Sequence, residues 1–171
     1  MTRYAAQTTV PIAKSVEDIR KLLTKHGCDG FAYGEERGKA MLAFTMKTRR
    51  VRFLLVMPDR MDREFTHTKD GWSTRTEPAA SKLWEQACRQ RYRALLLILK
   101  AKFEALDLEL ASFDEEFLGY FVLPTGQTVA DVMLGGELDR AMSAGELPAL
   151  MPGLSQSKDP EVVEAEIVEA K

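Results

Sequence analysis

Lys47, Arg49, Arg50 and Arg52 put four cations into six positions, immediately before an apolar run that ends at Pro58. Cations at this density can neutralise phosphate, meet an acidic partner, or remain in water. In "RVRFLLVM", Val51, Phe53, Leu55 and Met57 fall on one side of an extended chain, while Arg50 and Arg52 share the other side with Leu54 and Val56. A face that mixes arginines with aliphatics is not wholly solvated, so the pattern predicts a cover over its far end. More cations recur on helical spacing. Arg20, Lys21 and Lys25 lie on the outward face of one amphipathic segment. Lys82, Arg89, Arg93 and Lys100 line up within about 40° on another, at roughly 100° per residue. Tyr33, Phe65, Trp72 and Tyr92 are aromatic groups able to stack on bases. Arg49, Arg50, Arg52, Lys82, Arg89 and Arg93 are therefore the candidate nucleic-acid contacts. Against this stand two plainer roles: strand-edge cations that block aggregation and helix cations that only solvate a face.

Other chemistry is less well supplied. His26, Cys28, His67 and Cys88 are a nominal two-Cys, two-His set, but only His26 and Cys28 are close in sequence, whereas structural zinc sites use paired ligands. Cys88 reads as a small core residue, and His26 as a dipole partner at a helix C-terminus. No G-x-S-x-G, P-loop or dinucleotide motif is present. Asp59, Asp62 and Glu64 cluster after Pro58, where a metal nuclease can carry carboxylates; lacking a close lysine, they read as loop charges that offset Arg60 and Arg63. The sequence thus predicts neither catalytic nor metal-binding residues and no cofactor.

Charge is unevenly spread over the 171 residues. Residues 1–60 carry twelve Lys and Arg against six Asp and Glu, residues 61–110 nine against eight, and residues 111–171 three against twelve. A basic part and an acidic part suit a polyanion-facing surface with a counterweight, and equally a dipolar protein with no polyanion partner. Hydrophobic residues make up 45% of the chain, enough for a core. No apolar run is long enough to span a membrane. The first residues lack a secretory signal, so Cys28 and Cys88 are expected as reduced thiols in the cytoplasm.

The positioning elements follow from periodicity and punctuation. "RYAAQTTV" reads as a strand ended by Pro11. "KSVEDIRKLLTKHG" reads as a helix with Ser15 as N-cap, Asp18 in capping-box position and Gly27 just past its end. "GFAYGEERGKAMLAFTMK" reads as a hairpin turning at Glu35–Arg37, with Leu42, Phe44 and Met46 on one face. A turn near Lys47–Arg49 leads into the cationic strand. Residues 58–78 fit neither period and are expected as a functional loop, a lid or a partly disordered stretch. "AASKLWEQACRQRYRALLLILKAKFEALDLEL" predicts one helix of roughly 45 Å. Its apolar sector holds Trp84, Cys88, Tyr92, Leu95, Leu96, Leu99, Phe103 and Leu106, widened by Ile98, with the basic row on the exposed side. Ser112 with Glu115, and Thr128 with Asp131, begin two further helices, the second broken at Gly135–Gly136. The fold class expected is α+β: a small, mainly antiparallel sheet in β-α-β-β-β order on one long helix, then a helical C-terminal part. Residues 1–153 form a single domain in this reading, and 154–171 a linker and flexible acidic tail.

The segments "VRFLLVMPDR", "WEQACRQRYRALLLILKAKFEAL" and "FDEEFLGYFVLPTGQTVADVM" together resemble uncharacterised proteins of tailed bacteriophages and prophages, over roughly residues 4–153. That group has no assigned activity, so no site residue is carried over. The ending "EVVEAEIVE" looks like the acidic tails of phage single-strand annealing and single-strand-binding proteins. The resemblance implies a cytoplasmic protein of a bacterial host. The function expected is a non-enzymatic accessory protein that binds nucleic acid, single-stranded DNA in replication or recombination, with the tail recruiting a protein partner or shielding the basic surface. Oligomerisation is left open. The rival is a protein-interaction module, an inhibitor of host defence or a phage assembly subunit, contacting through the 58–78 loop and the "ELPALMP" edge. A nuclease using Asp59 and Asp62 is the third possibility.

Overall fold

The structure, a computed structural model, describes residues 4–144. It is α+β: a three-stranded antiparallel sheet with a long helix and further helices. The first helix, α1 (Ile12–Lys25), starts three residues before the expected Ser15 cap. The Pro11 carbonyl accepts from the Lys14 and Ser15 N–H groups at 3.1 Å each, which turns the chain early. Ser15 is then buried in the first turns, its hydroxyl bonded back to the Pro11 carbonyl at 3.4 Å. The helix stops at Gly27, whose φ of +71° is left-handed, and the Cys28 N–H returns to the Leu23 carbonyl at 3.0 Å.

Strands β1 (Asp29–Glu36), β2 (Lys39–Met46) and β3 (Arg49–Val56) form a meander in that order. Arg37 and Gly38 make the first turn with φ of +48° and +72°, the handedness that matches sheet twist. Glu35 therefore lies in the strand rather than in the expected turn. The second turn is Lys47–Thr48, with Met46 paired to Arg49. The expected strand at residues 3–10 does not form among the described residues. Ala5 turns at φ +54°, and the carbonyls of Tyr4 and Ala6 accept from Gln90 and Gln86 side chains instead of a ladder.

Helix α3 (Glu77–Asp107) follows the short α2 (Arg63–Thr66) and runs unbroken for 31 residues. Its buried side holds Cys88, Tyr92, Leu95, Leu96, Leu99 and Phe103. Ile98, expected to widen this sector, is exposed. Leu42, Phe44, Val51 and Phe53 on one face of the sheet meet Leu95, Leu99 and Phe103, and Phe117 of α4 (Phe113–Phe117) closes the centre, edge-on to Phe44 and Phe53. Both expected capping boxes form, Ser112–Glu115 for α4 and Thr128–Asp131 for α5 (Val129–Val132). The chain divides into two compact units at the Met133–Leu134 junction, and the expected boundary at 153 lies outside the described residues. In the second unit, Gly136 turns at φ +116° ahead of α6 (Leu138–Ser143), and Arg140 pairs with Glu137 at 2.7 Å. "ELPALMPG" and the expected linker and tail at 154–171 lie outside the described residues.

Candidate nucleic-acid interface

The six candidate cations do not share one surface. Strand alternation puts Arg49 on the core side of β3, its guanidinium 5.5 Å from the Phe121 ring centre and 3.3 Å from the Asp114 carboxylate. Arg50 and Arg52 point to the opposite, open face. Arg52 meets Asp131 at 3.4 Å. Hydrogen bonds from the Thr128 backbone and side chain, with Arg52 adding, hold the Asp131 carboxyl below the ordinary aspartate range. Arg50 has no carboxylate partner among the described residues. On α3, Arg93 turns toward α1 and meets Asp18 at 3.4 Å, and Arg89 meets Glu85 at 3.6 Å. Both arginines are three-quarters buried, so the expected exposed spine is partly an α1–α3 seam. Asp18 is held low mainly by its hydrogen bond with Lys14, with Arg93 contributing. Lys82 alone of the three on α3 is exposed and without an ion pair among the described residues. Four of the six cations thus already have a carboxylate.

The expected stacking aromatics also separate. Tyr92 is buried, its hydroxyl donating to Glu35 and lying 2.8 Å from the Tyr33 hydroxyl, which donates to the same Glu35 oxygen at 2.5 Å. Burial first, then Glu35, pushes both phenols above the ordinary tyrosine range, Tyr92 far above it. This triangle ties β1 to α3. Phe65 is buried as the anchor of its loop. Trp72 is 90% exposed.

Trp72 belongs to a structured hairpin that sequence periodicity misses. The Arg75 N–H donates to the Thr66 carbonyl at 2.7 Å, the Thr68 N–H to the Ser73 carbonyl at 2.8 Å, and His67 bridges Thr74. At the tip, Asp70 accepts from the Thr68 hydroxyl and from the Trp72 N–H, which together lower its pKa. Gly71 takes φ +77° and its carbonyl accepts from Arg63 at 3.3 Å. The base is held by buried Phe65 and by Trp84 Nε1, which donates to the Pro58 carbonyl at 2.8 Å. The Thr-Lys-Asp-Gly-Trp order, an Asp-Gly turn between polar flanks, is the signal that could have marked it. Beside the tip, Arg63, His67, Lys69, Arg75 and Leu83 line a concavity of about 550 Å³. Among the described residues, Arg63, Lys69 and Arg75 have no carboxylate within ion-pair distance, and Arg75 Nε is buried without a hydrogen-bond partner. Among the described residues, the expected offset of Arg60 and Arg63 by Asp59, Asp62 and Glu64 forms no ion pair: Arg60 pairs with Glu77, and Asp59 accepts from the Met61 N–H.

Neither cysteine is placed for nucleophilic chemistry. Cys88 is buried, and burial followed by Asp29 pushes the Cys28 thiol up to about 11. His26 stacks on Phe103 at 4.3 Å and faces Asp107 at 3.4 Å. No family model matches the chain, and no curated protein or solved structure is significantly similar to it.

Proposed function

We propose that this protein is a non-enzymatic, phage-type accessory factor that binds single-stranded DNA, and that the contact is the 63–75 hairpin rather than the arginines of β3 and α3. The observation that carries the reading is the exposed Trp72 ring on the same hairpin as Arg63, Lys69 and Arg75, three cations that lack carboxylate partners among the described residues. A free indole face stacks on any base, and accompanying cations follow the backbone, which is the chemistry of sequence-tolerant single-strand binding. The hydrogen-bonded tip is held before ligand arrives, so little ordering cost remains on binding.

The test is fluorescence anisotropy of a labelled oligothymidylate at two salt concentrations. If Arg63, Lys69 and Arg75 each neutralise one phosphate, affinity falls roughly twentyfold between about 50 and 200 mM salt. Trp72→Ala and the double variant Lys69→Glu with Arg75→Glu weaken binding, whereas Arg49→Glu does not. Affinity that ignores salt and survives Trp72→Ala overturns the proposal and leaves the hairpin as a protein-contact loop.

A further inference from the structure

The sheet has a second face that the loop reading does not use. In β2 and β3, Met41 pairs directly with Leu54, Ala43 with Arg52 and Lys39 with Val56, all away from the core. Leu54 is 57% and Val56 62% exposed, so the cover expected from their sequence pattern is missing among the described residues. Next to this apolar strip lies a trough of about 590 Å³. Its lining includes the small residues Gly30, Ala32, Ala43 and Thr45, with Met41, Phe31 and Phe44 bordering them, and a wall of Arg50, Arg52 and the turn that carries Val122 and Gly126. The wall is fixed: the Val122 N–H donates to the Arg50 carbonyl at 2.8 Å, and the turn closes through Gly126 at φ +85°.

We propose that this face docks an extended, carboxylate-bearing segment of a partner protein. Small lining residues let a backbone lie close to the sheet. Of the two guanidiniums on the wall, Arg50 is the one without a carboxylate partner among the described residues and recognises a carboxylate by paired hydrogen bonds, while Arg52 beside it is held by Asp131. Met41, Leu54 and Val56 meet the apolar side chains that alternate with those carboxylates along an extended chain. Charge complementarity selects this occupant over the others. A second copy laid face to face would set Lys39, Arg50 and Arg52 against their own kind. A nucleic acid would find no free aromatic ring here on which to stack its bases, because Phe31 and Phe44, which border the trough, pack into the core. Arg50 has no carboxylate within ion-pair distance among the described residues, whereas Asp131 engages Arg52 at 3.4 Å.

The inference is independent of the hairpin, and one experiment separates them. A labelled peptide of alternating Glu and Val, its Lys–Val counterpart, and the oligothymidylate are each titrated into the full-length protein and into Arg50→Glu and Leu54→Arg. Both positions are exposed, so folding is expected to survive and is checked by the melting curve. The Glu–Val peptide should bind the wild type, lose about tenfold or more in affinity in each variant, and shift amide resonances of Ala32, Ala43 and Leu54. Oligothymidylate affinity should stay unchanged in both variants. Equal binding of the two peptides, absence of Glu–Val binding, or shifts confined to other residues overturns the proposal. So does a loss of oligothymidylate affinity in Arg50→Glu, which would assign the face to phosphate instead.

Discussion

The arginines of β3 and α3 and the cations of the 63–75 hairpin are the same chemistry in different company. Arg49, Arg52 and Arg93 stand on regular elements whose neighbours supply Asp114, Asp131 and Asp18 at 3.3 to 3.4 Å. Arg63, Lys69 and Arg75 stand on a loop that packs against α3 through Phe65 and meets no such carboxylates among the described residues. A cation inside a packed frame is drawn into satisfying that frame, since an unpaired charge near the interior costs more than a paired one. On the hairpin, Lys69 at the tip stays in water, Arg63 is bonded to the Gly71 carbonyl, and Arg75 keeps a buried Nε with no partner among the described residues. Density of positive charge in a sequence therefore overstates the field where the chain is well packed and understates it at the loops.

Four tests break or sharpen this contrast. The largest effect removes the frame itself. Leu99→Ala opens a cavity between the sheet and α3 and should cost ~2–5 kcal/mol in chemical denaturation, abolishing both cation sets together as the protein unfolds at lower temperature. A negligible shift in melting temperature would refute the packing. Next, Trp72→Ala should cost ~1–3 kcal/mol of oligonucleotide affinity with no measurable change in melting temperature. An equal loss from Arg49→Ala would erase the distinction between the two sets. A smaller effect comes from crossing the pairs: Arg93→Met should lower stability by up to about 1 kcal/mol and leave affinity alone, and Lys69→Met should do the reverse.

The smallest effect is in the pH dependence. Asp18 and Asp131 are held below the ordinary aspartate value of 3.8, Asp18 first by Lys14 and Asp131 first by the Thr128 backbone N–H. A depressed carboxylate adds stability that is fully present above the unfolded value and is lost as pH falls through the folded one. Melting temperature should therefore decline below about pH 4. Asp131→Asn should flatten part of that decline. An acid limb of unchanged slope in that variant would show that the cap and the Arg52 pair contribute nothing.

Much of the frame was legible because it is local. The alternation of β3, the 31-residue helix, the Ser112 and Thr128 capping boxes and the break at Gly135–Gly136 depend on side-chain period and on residues within four positions of each other. The same locality explains two misreadings. Ser15 and Asp18 have capping spacing, but Pro11 turned the chain first. "RYAAQTTV" has strand composition, but a strand also needs a neighbour, and the Gln86 and Gln90 side chains took its carbonyls. The Asp70–Gly71 turn was readable from its residue types alone, and the Arg89–Glu85 pair from its i, i+4 spacing.

By itself the sequence determined the α+β class, the core faces of β2 and β3 and most of the buried side of α3, and which residues carry charge, because these follow from period, propensity and composition. Only the tertiary structure decided which charges remain available. Arg49, Arg52 and Arg93 find their carboxylates 65, 79 and 75 residues away along the chain. Trp72 stays in water while Tyr92, equally aromatic, is buried against Glu35. Ion pairing and burial act between residues that only folding brings within a few ångströms, and no local pattern encodes that distance.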